Sequence, residues 1–181
     1  QNKAVAFNKS INYGLYEIEE VKGESWAKPK NTIILADKLA EQTMEKSRVT
    51  KYKKIRELSL DDFNEITLTH PFSKLEGAES FWDYAVPLVE ADHVTDDAGT
   101  GFVHIAPSHG AEDFEVFLKR GWLSRMTNNV EDDSSFSTAV PFFKGLQIFN
   151  KKGKEGEANR AVIQKLIAVS YTHLTLPTIG E

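Results

Sequence analysis

Cysteine is absent, which excludes disulfide bonds, thiolate metal ligands and a cysteine nucleophile. The same absence suits a cytosolic protein, so a cytoplasmic location is expected. No apolar run is long enough to span a bilayer, and no membrane partner is expected. Basic charge is in deficit. The 22 Lys and Arg face 27 Asp and Glu, a formal net charge of −5. That argues against a broad nucleic-acid surface but leaves room for a pocket that takes a nucleic-acid end. Phosphate-cradling G-x-x-x-x-G-K-[ST] and G-x-G-x-x-G loops are missing, as are the H-E-x-x-H zinc helix and the G-x-S-x-G elbow. There is no internal repeat and no heptad pattern. A secretory signal is lacking too, and a chain starting at Gln1 is expected to have its natural beginning elsewhere.

What is present is ordinary for a globular domain: 181 residues, 40% hydrophobic and 27% charged. Lys3 to Phe7 and Tyr13 to Val21 read as a strand pair across an Asn8-Lys9-Ser10 turn. Thr32 to Leu35 reads as a short buried strand. Asp37 is placed to cap the next helix, whose inner side is Leu39, Ala40, Thr43 and Met44. Arg48 to Leu58 alternates charged and apolar residues, and its Lys51, Lys53 and Lys54 suit a protected sheet edge. Ser59 caps a single turn, and Ile66 to Thr69 is a further strand. Asn128 to Ser137 reads as an acidic surface loop, Lys144 to Phe149 as a strand and Glu155 to Ala168 as a helix. Many short strands with few helices predict a mainly β fold with peripheral helices, closed like a β-barrel, with α+β as the alternative.

One stretch, residues 92–122, reads as a site. Gly99-Thr100-Gly101 is a tight turn, and Phe102 to Ala106 is a short strand that points Phe102, His104 and Ala106 to one face. Pro107 ends the strand. The following helix has Ala111, Phe114, Phe117 and Leu118 as its apolar stripe, with Gly121 ending it and Trp122 folding back. His104 and Asp113 frame this unit and are expected to reach one pocket. Taken singly, His104 suits a structural histidine and Asp113 a charge favoured at a helix N-terminus. Together with His109 they are also a conceivable metal set.

Residues 92–122 resemble the editing domain inserted in the class I aminoacyl-tRNA synthetases for isoleucine, valine and leucine. The carriers are Gly-Thr-Gly-x-Val-x-x-x-Pro, here Gly99 to Pro107, and Asp113 in the short helix after it. His104 after Val103 is similar to the isoleucyl branch. Ala4 to Phe7, Thr69 to Phe72, Val86 to Leu88, Asp92 to Thr95 and Gly153 to Leu166 extend the likeness. The resemblance implies an editing domain over residues 1–168. It implies a Thr-rich strand before Gln1, absent here, and a non-native tail over residues 169–181. The implied activity is hydrolysis of the ester of mischarged valyl-tRNA(Ile) within an isoleucine–tRNA ligase. This family is itself the standard illustration that a missing methylene is worth only ~1–3 kcal/mol and needs a second, hydrolytic sieve. Asp113 is implied as the catalytic residue, pairing with the substrate's α-ammonium group. His104, Gly99, Thr100 and Gly101 are implied as substrate-binding, His104 helping to exclude isoleucine. A water attacks the ester, with a ribose hydroxyl of the tRNA assisting. No metal and no cofactor are implied for the domain; ATP and magnesium belong to the parent enzyme. The implied partners are the tRNA(Ile) 3′ end carrying valine and the rest of the synthetase in cis, in a monomer. A binding-only module, inactive without the Thr-rich strand, is the first alternative, and an unrelated metallohydrolase the second.

Overall fold

The computed structural model describes residues 2–169 and divides into two compact units. The first comprises residues 2–70 together with 84–128, and the second comprises 71–83 and 129–169. The expectation for the C-terminal tail lies outside the described residues, apart from Val169, which ends the last helix.

In the first unit the strands are β1 (Ala4–Phe7), β2 (Tyr13–Val21), β3 (Thr32–Ala36), β4 (Val49–Glu57), β5 (Leu68–Thr69), β6 (Ala85–Val86), β7 (Leu88–Glu90) and β8 (Val103–Ile105). Its helices are α1 (Ala40–Lys46), α2 (Leu60–Glu65) and α3 (Ala111–Lys119). One sheet has the order β7-β1-β8, with β1 parallel to β7 and antiparallel to β8. A second has the order β3-β2-β4, and β5 pairs with β6. β1 and β2 are therefore both strands, but they do not pair with each other as the sequence suggested. Asn8 to Asn12 carries the chain from one sheet to the other.

The barrel expectation is corrected. Among the described residues the sheets stay separate and open, with strands of two to nine residues. The arrangement is a mixture of sheets and helices, as in the α+β alternative, because a helix completes each core. Phe117 of α3 joins Ala4, Ala6, Val89 and Ile105 of the first sheet. Met44 of α1 joins Tyr16, Ile18, Leu35 and Val49 of the second. Phe63 of α2 stacks on Phe7 with ring centroids 4.4 Å apart and joins Tyr13, Ala36 and Leu39. Ala4 and Ala6 are fully buried, and their small side chains let α3 lie close to β1.

Local chemistry explains several boundaries. Ser59 and Asp62 form a reciprocal capping box at the start of α2, and Arg56 grips the same carboxylate at 2.8 and 2.9 Å. Arg56 and the two Ser59 donors hold the Asp62 carboxyl well below the usual carboxylate range. β4 is an edge strand as expected, and its cations pair with the neighbouring chain: Lys51 with Glu19, Lys53 with Glu17 and Lys54 with Asp37. Asp37 does not cap α1. Its carboxylate accepts instead from the Tyr16 hydroxyl at 2.6 Å and from Lys54 at 2.8 Å. Burial and that carboxylate push the Tyr16 phenol strongly up.

The second unit gathers aromatic rings, with Phe72 packed on Trp82 and Phe143 and Lys165 lying 3.9 Å from the Phe142 ring centre. Lys144 to Phe149 does not form a strand. It makes isolated bridges, Ser135 to Gln147 and Phe149 to Glu155. α4 (Ala158–Ala168) buries only Ala158 fully. No helix among the described residues is long and apolar enough to cross a membrane.

His70 supplies a pH test of the first unit. Burial, with the positive charge of Lys3 adding to it, pushes the imidazole down from 6.5 to about 4. A depressed histidine favours the folded state only while neutral, so its contribution is complete above 6.5 and fades as pH falls toward 4. After discounting for its partial exposure, the change is on the order of 1 kcal/mol. Urea unfolding of wild type should lose this increment across that window, and His70→Asn should not. Parallel pH profiles for the two proteins would refute the assignment.

Candidate functional site

The 92–122 segment starts in a turn fixed from β1. The Asn8 side-chain amide donates to the carbonyls of Asp92 (3.3 Å) and Val94 (2.9 Å). Lys38 then holds Asp96 at 2.9 Å and Asp97 at 3.7 Å. The Gly99-Thr100-Gly101 loop follows. Its three successive carbonyls are each tied to a different element. Thr43 Oγ1 of α1 donates to Gly99 O at 2.9 Å. The Ala36 N–H of β3 donates to Thr100 O at 2.9 Å. The buried Tyr13 hydroxyl of β2 donates to Gly101 O at 2.6 Å and accepts from the Asn8 N–H at 3.1 Å. In a trans peptide the N–H points opposite to the carbonyl of the preceding residue. The N–H groups of Thr100 and Gly101 therefore point away from the groups that hold the Gly99 and Thr100 carbonyls; Thr100 is exposed and Gly101 buried. Both glycines have left-handed backbone, φ +81° at Gly99 and +83° at Gly101.

β8 carries His104 opposite Val5 of β1. Ile105 and Val103 face the core covered by α3, so His104 lies on the other sheet face, where it is exposed. Phe102 precedes it and packs 4.9 Å from the Tyr13 ring.

Asp113 sits in the first turn of α3, and its carboxylate folds back beneath Gly110 to the strand end. Oδ2 accepts from the Ala106 N–H at 2.8 Å. Oδ1 faces His93 Nε2 at 3.8 Å, and the two side chains are only 15% and 19% exposed. His93 Nε2 is buried and has no hydrogen-bond partner among the described residues. A cavity of about 250 Å³ adjoins His93, lined among others by Asp92, Glu112 and Glu115. No hydrogen bond or ion pair joins His104 to Asp113; β8 presents the first and α3 the second. His109 is exposed, and its N–H donates to Ala106 O at 2.9 Å. Among the described residues no three His, Asp or Glu side chains converge as metal ligands.

The predicted stripe of α3 is rotated. Val116 and Phe117 are buried, whereas Phe114 and Leu118 are 38% and 52% exposed. The turn after the helix is as expected: Gly121 has φ +68°, and Trp122 packs edge-on to Phe117 at 5.7 Å. Sequence reading missed His93, Tyr13 and Thr43. Tyr13 and Thr43 lie 88 and 56 residues from the groups they meet, and His93 meets Asp113 across a turn, a strand and a helix start, so no local spacing announces the meetings.

No family model matches the chain. The isoleucine–tRNA ligase of Bradyrhizobium diazoefficiens is 41% identical over 173 residues, covering 92% of this chain and 17% of that enzyme. That of Ruegeria pomeroyi is 46% identical over 171 residues, covering 93% of this chain and 17% of the enzyme. The crystal structure of GlLeuRS-CP1 superposes with a TM-score of 0.45 and 20% identity, over 68% of this chain and 42% of that one. The chain thus spans under a fifth of the length of the curated relatives it matches. By that sequence identity, sustained over nearly all of its residues, the chain's homologues are isoleucine–tRNA ligases, matched along one segment of their length.

Proposed function

We propose that this chain is an aminoacyl-tRNA editing domain that hydrolyses the ester of valyl-tRNA(Ile). The observation that carries the reading is the Asp113 carboxylate, largely buried at the end of β8 and anchored through one oxygen to the Ala106 N–H. Such a carboxylate is pre-oriented for an ammonium group, and a charge-assisted contact there fixes the ester's position. Backbone groups around Thr100 and Gly101 hold the terminal adenosine or the ester oxygen. His104, exposed on its sheet face, forms a wall of the amino-acid pocket. Water is the nucleophile, assisted by a ribose hydroxyl of the tRNA. The partners in this reading are the tRNA(Ile) 3′ end and the rest of a monomeric, cytoplasmic synthetase in cis, whose ATP and magnesium serve another domain.

The direct test is deacylation of valyl- and isoleucyl-tRNA(Ile) by the chain, with and without a restored Thr-rich strand. Valyl-tRNA should be hydrolysed at least about tenfold faster, in line with the worth of one methylene. Equal rates, or none with the strand restored, would remove the editing reading. Retained binding without turnover would favour the binding-only module. His104→Ala should widen the pocket, so that isoleucyl-tRNA hydrolysis rises about tenfold while valyl-tRNA hydrolysis persists. Loss of valyl hydrolysis with no gain on the isoleucyl ester would exclude a sieving role.

A further inference from the structure

We infer that His93 is a positioning residue for Asp113, its Nε2 turned toward the carboxylate to hold it in place for the ligand. The inference rests on Asp113 being the ammonium-binding group. A buried nitrogen without a partner is costly and uncommon, and His93 Nε2 is one. Asp113 Oδ1, at 3.8 Å, is the acceptor it faces. That distance is too long for a hydrogen bond. It is short enough to close by a small movement, as such contacts often do when a ligand arrives. Neither group is free to drift away. The turn bearing His93 is clasped by Asn8 on both sides, through Asp92 O and Val94 O. Asp113 is fixed by the Ala106 N–H. A carboxylate offers about four acceptor positions. With Ala106 and His93 each taking one, two remain for a substrate ammonium.

The charged groups around His93 are known from the cavity beside it. Asp92 comes from its own turn, Glu90 from β7, and Glu112, Glu115, Lys119 and Arg120 from α3 and its end, besides Asp113. Glu90 is held by Lys9 at 2.8 Å, and Lys119 lies 3.9 Å from Glu115.

The experiment is a titration of the chain with an amide-linked valyl-adenosine analogue, comparing wild type with His93→Gln and His93→Leu. Glutamine keeps a donor in place of Nε2, and leucine removes it. His93→Gln should bind within about twofold of wild type, and His93→Leu about tenfold more weakly. Wild-type affinity in His93→Leu, or a loss in His93→Gln as large as in His93→Leu, would overturn the inference. If the analogue binds none of the three, the editing reading fails, and the chemical shift of the Asp113 carboxyl carbon in the free protein decides the matter. A displacement in His93→Leu that His93→Gln does not show sustains the pairing, and no displacement in His93→Leu overturns it.

Discussion

Gly101→Ala is expected to destabilise the protein by about 3 kcal/mol, and Gly99→Ala by only about 1 kcal/mol. The two positions share almost the same left-handed backbone, φ +83° and +81°, so each alanine meets a similar conformational cost. They differ in what surrounds them. A Cβ on Gly101 would lie 2.5 Å from Ala36 Cβ and 3.1 Å from Tyr13 Cε1, whereas nothing lies within 4 Å of one on Gly99. Ala36 is fully buried and Tyr13 nearly so, so neither can give way without disturbing the core they share with Phe7 and Phe63. The larger effect also reaches the loop. Moving Gly101 away strains the 2.6 Å bond from Tyr13 and the Ala36 bond to Thr100 O, which together fix the loop's path. Urea unfolding of the two variants measures the difference, and equal losses would show that the close approach to Ala36 does not constrain the loop.

That close approach marks the limit of what the residues reveal before folding. The Gly-Thr-Gly turn, the strand after it, the Pro107 stop and the helix with Gly121 at its end were legible, because each depends on neighbours in sequence. So were the edge position of β4 and the cap at Ser59. The pairing of the strands was not. β1 takes partners 83 to 101 residues away, β7 and β8, in preference to adjacent β2, a choice set by burial of Ala4 and Ala6 under α3. Counting many short strands suggested a barrel. It gave no weight to Phe117, Met44 and Phe63, helical side chains that close three cores and leave the sheets open. The rotation of α3 has the same origin: its contact with β1 is made by Val116 and Phe117, and periodicity alone favoured Phe114. At the site, His104 and Asp113 stood out by type and position. The Ala106 N–H, the Asn8 clasp and the orphan nitrogen of His93 come from chain segments brought together only by the fold.

Asp113 tests whether anchoring and ligand binding are separable. Asp113→Asn keeps an oxygen able to accept the Ala106 N–H, now at 2.8 Å, and removes the charge. Its stability should stay close to wild type, while affinity for the valyl-adenosine analogue should fall by about tenfold to a hundredfold, the worth of a charge-assisted contact of ~1.5–3 kcal/mol. Asp113→Ala removes both functions. It leaves the N–H of Ala106, a buried residue, without its acceptor and takes a favourable negative charge from the first turn of α3, so a further loss of about 1–3 kcal/mol in stability is expected. The pair of variants therefore predicts a dissociation: both lose the ligand, and only alanine loses stability. If Asn binds the analogue as wild type does, the carboxylate's charge is not what the ligand meets. Asp113 is then a structural cap joining the end of β8 to α3. If Asn is as unstable as Ala, the contact toward His93 rather than the Ala106 bond is what holds the helix start in place.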